Sequence, residues 1–144
     1  MPDKIFLDTN LWVYFYAKNP LEKSGQVRRI VASRFEDIVI STQTLGELYN
    51  VFIRKKLTTS DQAQAIVIEM ATHLPVLEID TPKVLQVLAV NARYHYSYWD
   101  SLVIATALLA ECEMLYSKDM HHQQLIDDKL RILNPFNLTS DFTS

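Results

Sequence analysis

Apolar positions along this chain follow two different rhythms, and the alternation between them outlines the fold. Short runs of neighbouring apolar residues at Lys4–Leu7, Ile38–Ile40, Val76–Ile79, Met114–Tyr116 and Leu130–Leu133 read as buried strands. Between them the spacing lengthens. Leu45, Leu48, Tyr49, Phe52 and Ile53 fall at i, i+3, i+4, i+7 and i+8, which predicts an amphipathic helix ending near Arg54-Lys55-Lys56, where cations suit a helix C-terminus. Helices are also predicted over Leu11–Ala17 and, after a break at Pro20, over Leu21–Phe35. Ser60-Asp61 opens another, with Ala63, Ile66, Val67 and Met70 on one face. Thr81-Pro82 fits an N-cap followed by a first-turn proline, leading to about Tyr94. Ser97 starts a helix whose Leu102–Ala110 stretch is apolar nearly all round and therefore buried. A short helix is expected around His122–Ile126. Strands alternating with helices imply parallel pairing in an α/β sandwich. One domain is expected over residues 1–138, with a polar tail over 139–144.

Composition narrows the chemistry. Of 144 residues 49% are hydrophobic, enough for a full core without disulfides, and a single cysteine, Cys112, precludes an internal one. No Cys/His zinc spacing occurs. The apolar run after Met1 is too short for a signal peptide, and Leu102–Ala110 is far short of the roughly 20 residues a membrane span needs, so the cytoplasm is the expected setting. Only two glycines are present, Gly25 and Gly46, which removes the glycine-rich loops that cradle ATP or dinucleotide phosphates. A net charge of −3 disfavours a module that grips nucleic acid by bulk electrostatics.

Four acids carry the chemical signal. Asp8 follows the first strand and Asp119 follows the Met114 strand; each is also a natural helix N-cap. Glu47 in Thr44-Leu45-Gly46-Glu47 and Asp100 in Ser97-Tyr98-Trp99-Asp100 each fit a capping box. Taken singly, structural explanations suffice. Topology changes the balance, because in a parallel sheet with right-handed crossovers the strand carboxyl ends and the helix N-termini share one edge. All four acids are expected there, with Glu47 in the first turn of its helix. Two carboxylates about 4 Å apart repel by roughly 4 kcal/mol at an effective dielectric near 20. Four of them require protons or a cation. Oxygen-only ligands select a hard ion, Mg²⁺ or Mn²⁺, and such a site suits phosphodiester hydrolysis.

The ordered blocks Phe6-Leu7-Asp8-Thr9-Asn10, Ser41-Thr42-Gln43 through Glu47, Tyr98-Trp99-Asp100-Ser101-Leu102 with Ala105, and Leu115-Tyr116-Ser117-Lys118-Asp119-Met120, closed by Ile132-Leu133-Asn134-Pro135-Phe136, resemble the PIN-domain family. The closer resemblance is to the VapC-type toxin branch of toxin–antitoxin systems. It implies a three-layer α/β sandwich with a five-stranded parallel sheet, a homodimer, and Mg²⁺- or Mn²⁺-dependent endoribonuclease activity restrained by a cognate antitoxin. Asp8 and Asp100 would be the principal metal ligands, Glu47 and Asp119 would complete the acidic pocket, and Thr9, Asn10 and Ser117 would hold ligands or water from behind. Two departures stand out: Lys118 where an acid is common, and Gln123 where a glycine is common.

Other residues have plainer readings beside functional ones. His121 and His122 are read as loop or helix-start residues rather than ligands. Arg54-Lys55-Lys56 could track an RNA backbone or simply end a helix. Tyr94, Tyr96, Tyr98 and Trp99 could stack bases, with core packing or a dimer seam the plainer role. Ala65 and Ile68 lie off the main face of their helix, in reach of a partner helix. Two rival functions are a non-catalytic RNA-binding or interaction module, and a haloacid-dehalogenase-type phosphatase. The latter needs an acid two positions after Asp8, where Asn10 stands.

Overall fold

The strand β1 (Ile5–Leu7) is buried on both faces, because its side chains are divided between two cores. A computed structural model describes residues 3–137. From β1 the chain runs through α1 (Thr9–Ala17), α2 (Leu21–Arg34), β2 (Ile38–Ser41), α3 (Thr42–Arg54), α4 (Ser60–His73), β3 (Val76–Leu77), α5 (Thr81–Tyr94), α6 (Tyr98–Leu109), β4 (Met114–Tyr116), β5 (Leu125–Ile126) and β6 (Leu130–Leu133). Short 3-10 turns cover Phe35–Asp37 and Pro135–Asn137. The expected tail over 139–144 lies outside the described residues.

Strand order is β3-β2-β1-β4-β6-β5. Successive residues of a strand point to opposite faces. Ile5, Leu7, Ile38 and Ile40 therefore enter one core with Trp12, Leu48 and Phe52, whereas Phe6, Val39, Leu115 and Ile132 enter the other with Val90 and the α6 residues Val103, Ile104 and Ala107. Helices α1–α4 cover one face of the sheet and α5–α6 the other, which gives three layers. Seven consecutive α6 residues from Ser101 to Ala107 are buried, as their all-round apolar pattern requires.

The sheet has six strands rather than the five expected. The five parallel ones are β1, β2, β3, β4 and β6; the addition is β5, antiparallel to β6 with Ile126 opposite Leu130. It occupies part of the stretch where a short helix was expected. The connection turns through Asp127 and Asp128, both left-handed at φ 52° and 56°, and closes with the Lys129 amide donating to the Ile126 carbonyl at 2.9 Å. Hairpin turns of this hand usually announce themselves with glycine; aspartate tolerates the same backbone without giving that signal.

Helix starts were also displaced. Asp80, not Thr81, caps α5, accepting from the Lys83 amide. Ser41 caps α3 by accepting from the Thr44 amide, so the helix begins before the expected capping box, and Glu47 sits in its second turn with the side chain free for other duties. Gln123, at the position where the resemblance calls for glycine, has φ 70°, the left-handed backbone that favours glycine.

Candidate active site

The carboxyl edge of the sheet assembles the site from four distant parts of the chain. The Asp8 amide donates to the Tyr116 carbonyl at 2.9 Å, which locks the end of β1 to the end of β4. Asp8 is thereby placed as the N-cap of α1, its Oδ1 accepting from the Thr9 amide at 2.8 Å. Its Oδ2 accepts from Ser117 Oγ at 2.9 Å. The capping role and a place in the site coexist in one carboxylate.

The remaining acids are held in a similar way. Thr9 Oγ1 donates to Glu47 Oε1 at 2.9 Å, and Gln43, one helical turn before Glu47, donates to Oε2 at 3.3 Å. Asn10 Nδ2 donates to Asp119 Oδ2 at 3.0 Å. Asp100 opens α6, where its amide donates to Ser97 Oγ at 3.1 Å; no reciprocal bond from its carboxylate to the Ser97 amide completes a capping box. The side chains of Thr9, Asn10 and Ser117 thus each grip one acid, and the Thr9 amide grips a second, Asp8. All four acids line a single cavity of 710 Å³.

Electrostatics shows how closely they interact. Burial pushes the Asp8 carboxyl up to about 6; hydrogen bonds from Ser117 and Thr9 pull against that shift, and the charges of Asp100 and Glu47 reinforce it. Asp100 is also raised, by burial first and then by Asp119 and Glu47. Among the described residues none of the four acids forms an ion pair with a lysine, arginine or histidine. The four acids concentrate negative charge held by hydrogen-bond donors, while Lys118, which interacts electrostatically with Asp119, and Arg54 and Lys55 line the same cavity without an ion pair to any of the four.

The donor set fits a hard divalent cation: carboxylate, hydroxyl and amide oxygens line the cavity, with no sulfur or imidazole among them. Among the described residues no three acidic, histidine or cysteine side chains stand close enough to form a ready ligand group. Mg²⁺ asks for less than that, since it keeps several waters and takes one or two carboxylates directly. His121 and His122 lie outside the cavity lining; the His121 ring leans on Tyr96, and His122 Nδ1 accepts from the Asn134 amide at 2.9 Å.

Sequence reasoning gave no role to Gln43. It donates both to Glu47 and to the Trp99 carbonyl, at 3.4 Å, so it ties α3 to the first turn of α6 and hence to Asp100. The i, i+4 spacing of Gln43 and Glu47 was the available signal. Asn134 was likewise missed: its Nδ2 donates to the Lys118 carbonyl at 3.1 Å and steadies the turn that carries Asp119.

A family model described as PIN domain matches residues 5–127, which spans all four acids. The chain belongs to the PIN-domain family. No curated protein matches it in sequence. Among solved structures, this PIN domain is similar to a toxin–antitoxin complex from Klebsiella pneumoniae, with TM-score 0.70 at 14% identity over 92% of this chain and 98% of that one. It is also similar to DNA-bound VapBC from Salmonella typhimurium, with TM-score 0.68 at 22% identity over 92% and 98% of the two chains. A third similar structure is a sarcin-ricin loop cleaving VapC toxin of Mycobacterium tuberculosis, with TM-score 0.64 at 20% identity over 78% and 87%. At these identities the likeness speaks for the fold.

Proposed function

We propose that this PIN domain is a Mg²⁺- or Mn²⁺-dependent endoribonuclease acting as the toxin of a VapBC-type toxin–antitoxin pair. The observation that carries the reading is the convergence of Asp8, Glu47, Asp100 and Asp119, from four separate segments, on one cavity, with no cationic side chain among the described residues in an ion pair with any of them. A cluster of this kind is costly unless a metal ion or protons offset it. Asp8 and Asp100 are assigned as the principal ligands, with Glu47 and Asp119 completing the pocket directly or through water. A bound divalent ion supplies Lewis-acid activation of water and neutralises charge at the scissile phosphate.

The protein's own contribution is orientation. Ser117 and the Thr9 amide fix both oxygens of Asp8, so its carboxylate plane is set before any ligand arrives. Thr9 and Gln43 do the same for Glu47, and Asn10 for Asp119. Similarity to toxin–antitoxin complexes supports an antitoxin as partner, and similarity to a VapC toxin that cleaves the sarcin-ricin loop supports RNA as substrate. A phosphatase reading is weakened because Asn10, at the place of the required general acid, instead donates its amide to Asp119.

The test is incubation with labelled tRNA, ribosomal RNA fragments and single-stranded DNA in Mg²⁺, Mn²⁺ or EDTA, comparing wild type with Asp8→Asn. Cation-dependent cutting of RNA that the substitution abolishes is expected. Cutting by Asp8→Asn at the wild-type rate, or cutting in EDTA, refutes the assignment. A non-catalytic module predicts no cutting and no thermal shift with divalent ions.

A further inference from the structure

Tyr96 belongs to the short connection between α5 and α6, four residues ahead of Asp100. The chain leaves α5 through His95, left-handed at φ 64°, whose amide donates to the Asn91 carbonyl at 3.0 Å. The Tyr96 carbonyl then meets two donors: Asn91 Nδ2, from the last turn of α5, at 2.6 Å, and Ser101 Oγ, beside Asp100 in α6, at 3.2 Å. Its backbone is thereby fixed to the helix start that carries Asp100. The hydroxyl is spent on a different part of the chain. It accepts from the His121 amide at 3.0 Å and donates to Gln124 Oε1 at 2.5 Å. His121 follows Asp119 by two residues, and the Gln124 carbonyl accepts from the Ile132 amide at 2.9 Å, which pins the segment to β6. The ring between these two ends packs on the core that also takes Met120, with the His121 ring 5.6 Å away. Burial keeps the Tyr96 phenol above its ordinary pKa; the His121 amide pulls the other way, and the charge of Asp100 adds to the rise. The hydroxyl is thus within electrostatic reach of one acid while it bonds the segment that follows another.

We infer that Tyr96 is a positioning residue for the acidic site: as a strut between the start of α6 and the loop after β4, it sets the separation of Asp100 and Asp119. The inference rests on the nuclease reading above and deepens it by naming what keeps two of the acids in place. The need for such a strut is physical. Asp8 caps a helix, and Glu47 and Asp100 ride on helices, whereas Asp119 is exposed and lies outside any helix or strand. Groups carried on loops are held less precisely than those on regular elements, yet groups that share one ion must keep their places to about 0.5 Å. Asn10 in α1 bonds the Asp119 carboxylate, and Asn134 after β6 bonds the Lys118 carbonyl. Neither of these reaches α6. Tyr96 supplies that missing tie. The plainer roles for its ring, core packing or stacking on a base, predict that phenylalanine would serve as well.

The experiment compares the full chain as wild type, Tyr96→Phe, Asp119→Asn and the double variant. Mn²⁺ affinity is read without RNA, by titration of the free-ion paramagnetic resonance signal, and kcat and KM are measured on the labelled tRNA and ribosomal RNA fragments. Losing an outer partner of a metal ligand costs about 10- to 100-fold, and Tyr96 acts through one further link, so Tyr96→Phe should lower Mn²⁺ affinity and kcat by about tenfold. KM should change little. Beside Asp119→Asn the same substitution should alter Mn²⁺ affinity by less than about twofold, because coupled positions are not additive. Hydrogen exchange supplies a reading on the unsubstituted protein: the His121 amide should be protected in wild type, and Tyr96→Phe should release it. Wild-type Mn²⁺ affinity and kcat in Tyr96→Phe overturn the inference and leave the nuclease assignment standing. A tenfold loss that persists undiminished beside Asp119→Asn also overturns it, since the hydroxyl would then act on the fold at large. An unprotected His121 amide in wild type does the same, whether or not Tyr96→Phe folds. Wild type that neither binds Mn²⁺ nor cuts RNA overturns both readings together.

Discussion

Replacing Asp8 by Asn should make the metal-free protein more stable, and by an amount that grows with pH. Asp8 is 8% exposed and its carboxyl is pushed up to about 6 from an ordinary 3.8, chiefly by burial. Between those two values the folded chain keeps a proton that the unfolded chain has lost, so stability falls as pH rises through this window. A shift of about two units corresponds to roughly 3 kcal/mol, complete above pH 6 and absent below about pH 4. Asn preserves the shape and is an equally good helix cap, so it can still accept from the Thr9 amide. The two proteins should unfold together near pH 4 in EDTA. Near pH 7 the substituted one should melt roughly 9 °C higher, taking about 3 °C per kcal/mol for a domain of this size. Circular dichroism melts from pH 4 to 8 in EDTA measure the gap directly. Mn²⁺ should then narrow it from the other side, raising wild type by about 2.7 kcal/mol at a hundred times its dissociation constant and leaving Asp8→Asn nearly unmoved. A gap that is constant with pH, or one that closes as pH rises, refutes the claim that Asp8 is held charged at a cost.

Three further outcomes are expected. Ser117→Ala removes the donor on Asp8 Oδ2 and should weaken divalent-ion binding or cleavage by about 10- to 100-fold, read by Mn²⁺ titration and by initial rates. Ile104→Ala, at a fully buried α6 position, should cost about 2–5 kcal/mol, seen as a lower urea midpoint with the slope unchanged. Cys112 is buried, and burial pushes its thiol up to about 12; a thiolate-directed reagent at pH 8 should leave it untouched in the native protein and label it fully in urea.

The alternating periods of the sequence located the five parallel strands and the helices between them because each is driven by burial, and burial leaves a readable pattern. Leu45 to Ile53 and Leu102 to Ala110 are the clearest cases. Helix starts were less legible. Several side chains near Thr44 and Thr81 can accept an amide, and tertiary packing chooses which one does, here Ser41 and Asp80. β5 escaped notice because its turn uses two aspartates in a backbone usually given to glycine. The candidate site was legible as far as its residue types: strand-end acids and neighbouring hydroxyl and amide groups share an edge by topology alone. Which hydroxyl meets which acid was not legible, because Asp8 and Ser117 are 109 positions apart. Only the β1–β4 register of Leu7 opposite Tyr116 brings them together. The contribution of Gln43 was hidden for the same reason, since its second partner, the Trp99 carbonyl, is 56 residues away.

The earliest strand in the chain is flanked by β2 on one side and β4 on the other, so half of its pairing waits for residues near 115. A growing polypeptide leaving the ribosome carries Asp8 and Glu47 with an open seam beside them until β4 has been made. Asp100 and Asp119 arrive well after Glu47, and Ser117 lies 109 positions beyond Asp8. Translation products that stop before Ser117 should therefore be inert, and whatever chemistry the pocket performs begins only once Asp119 has emerged and the seam has closed.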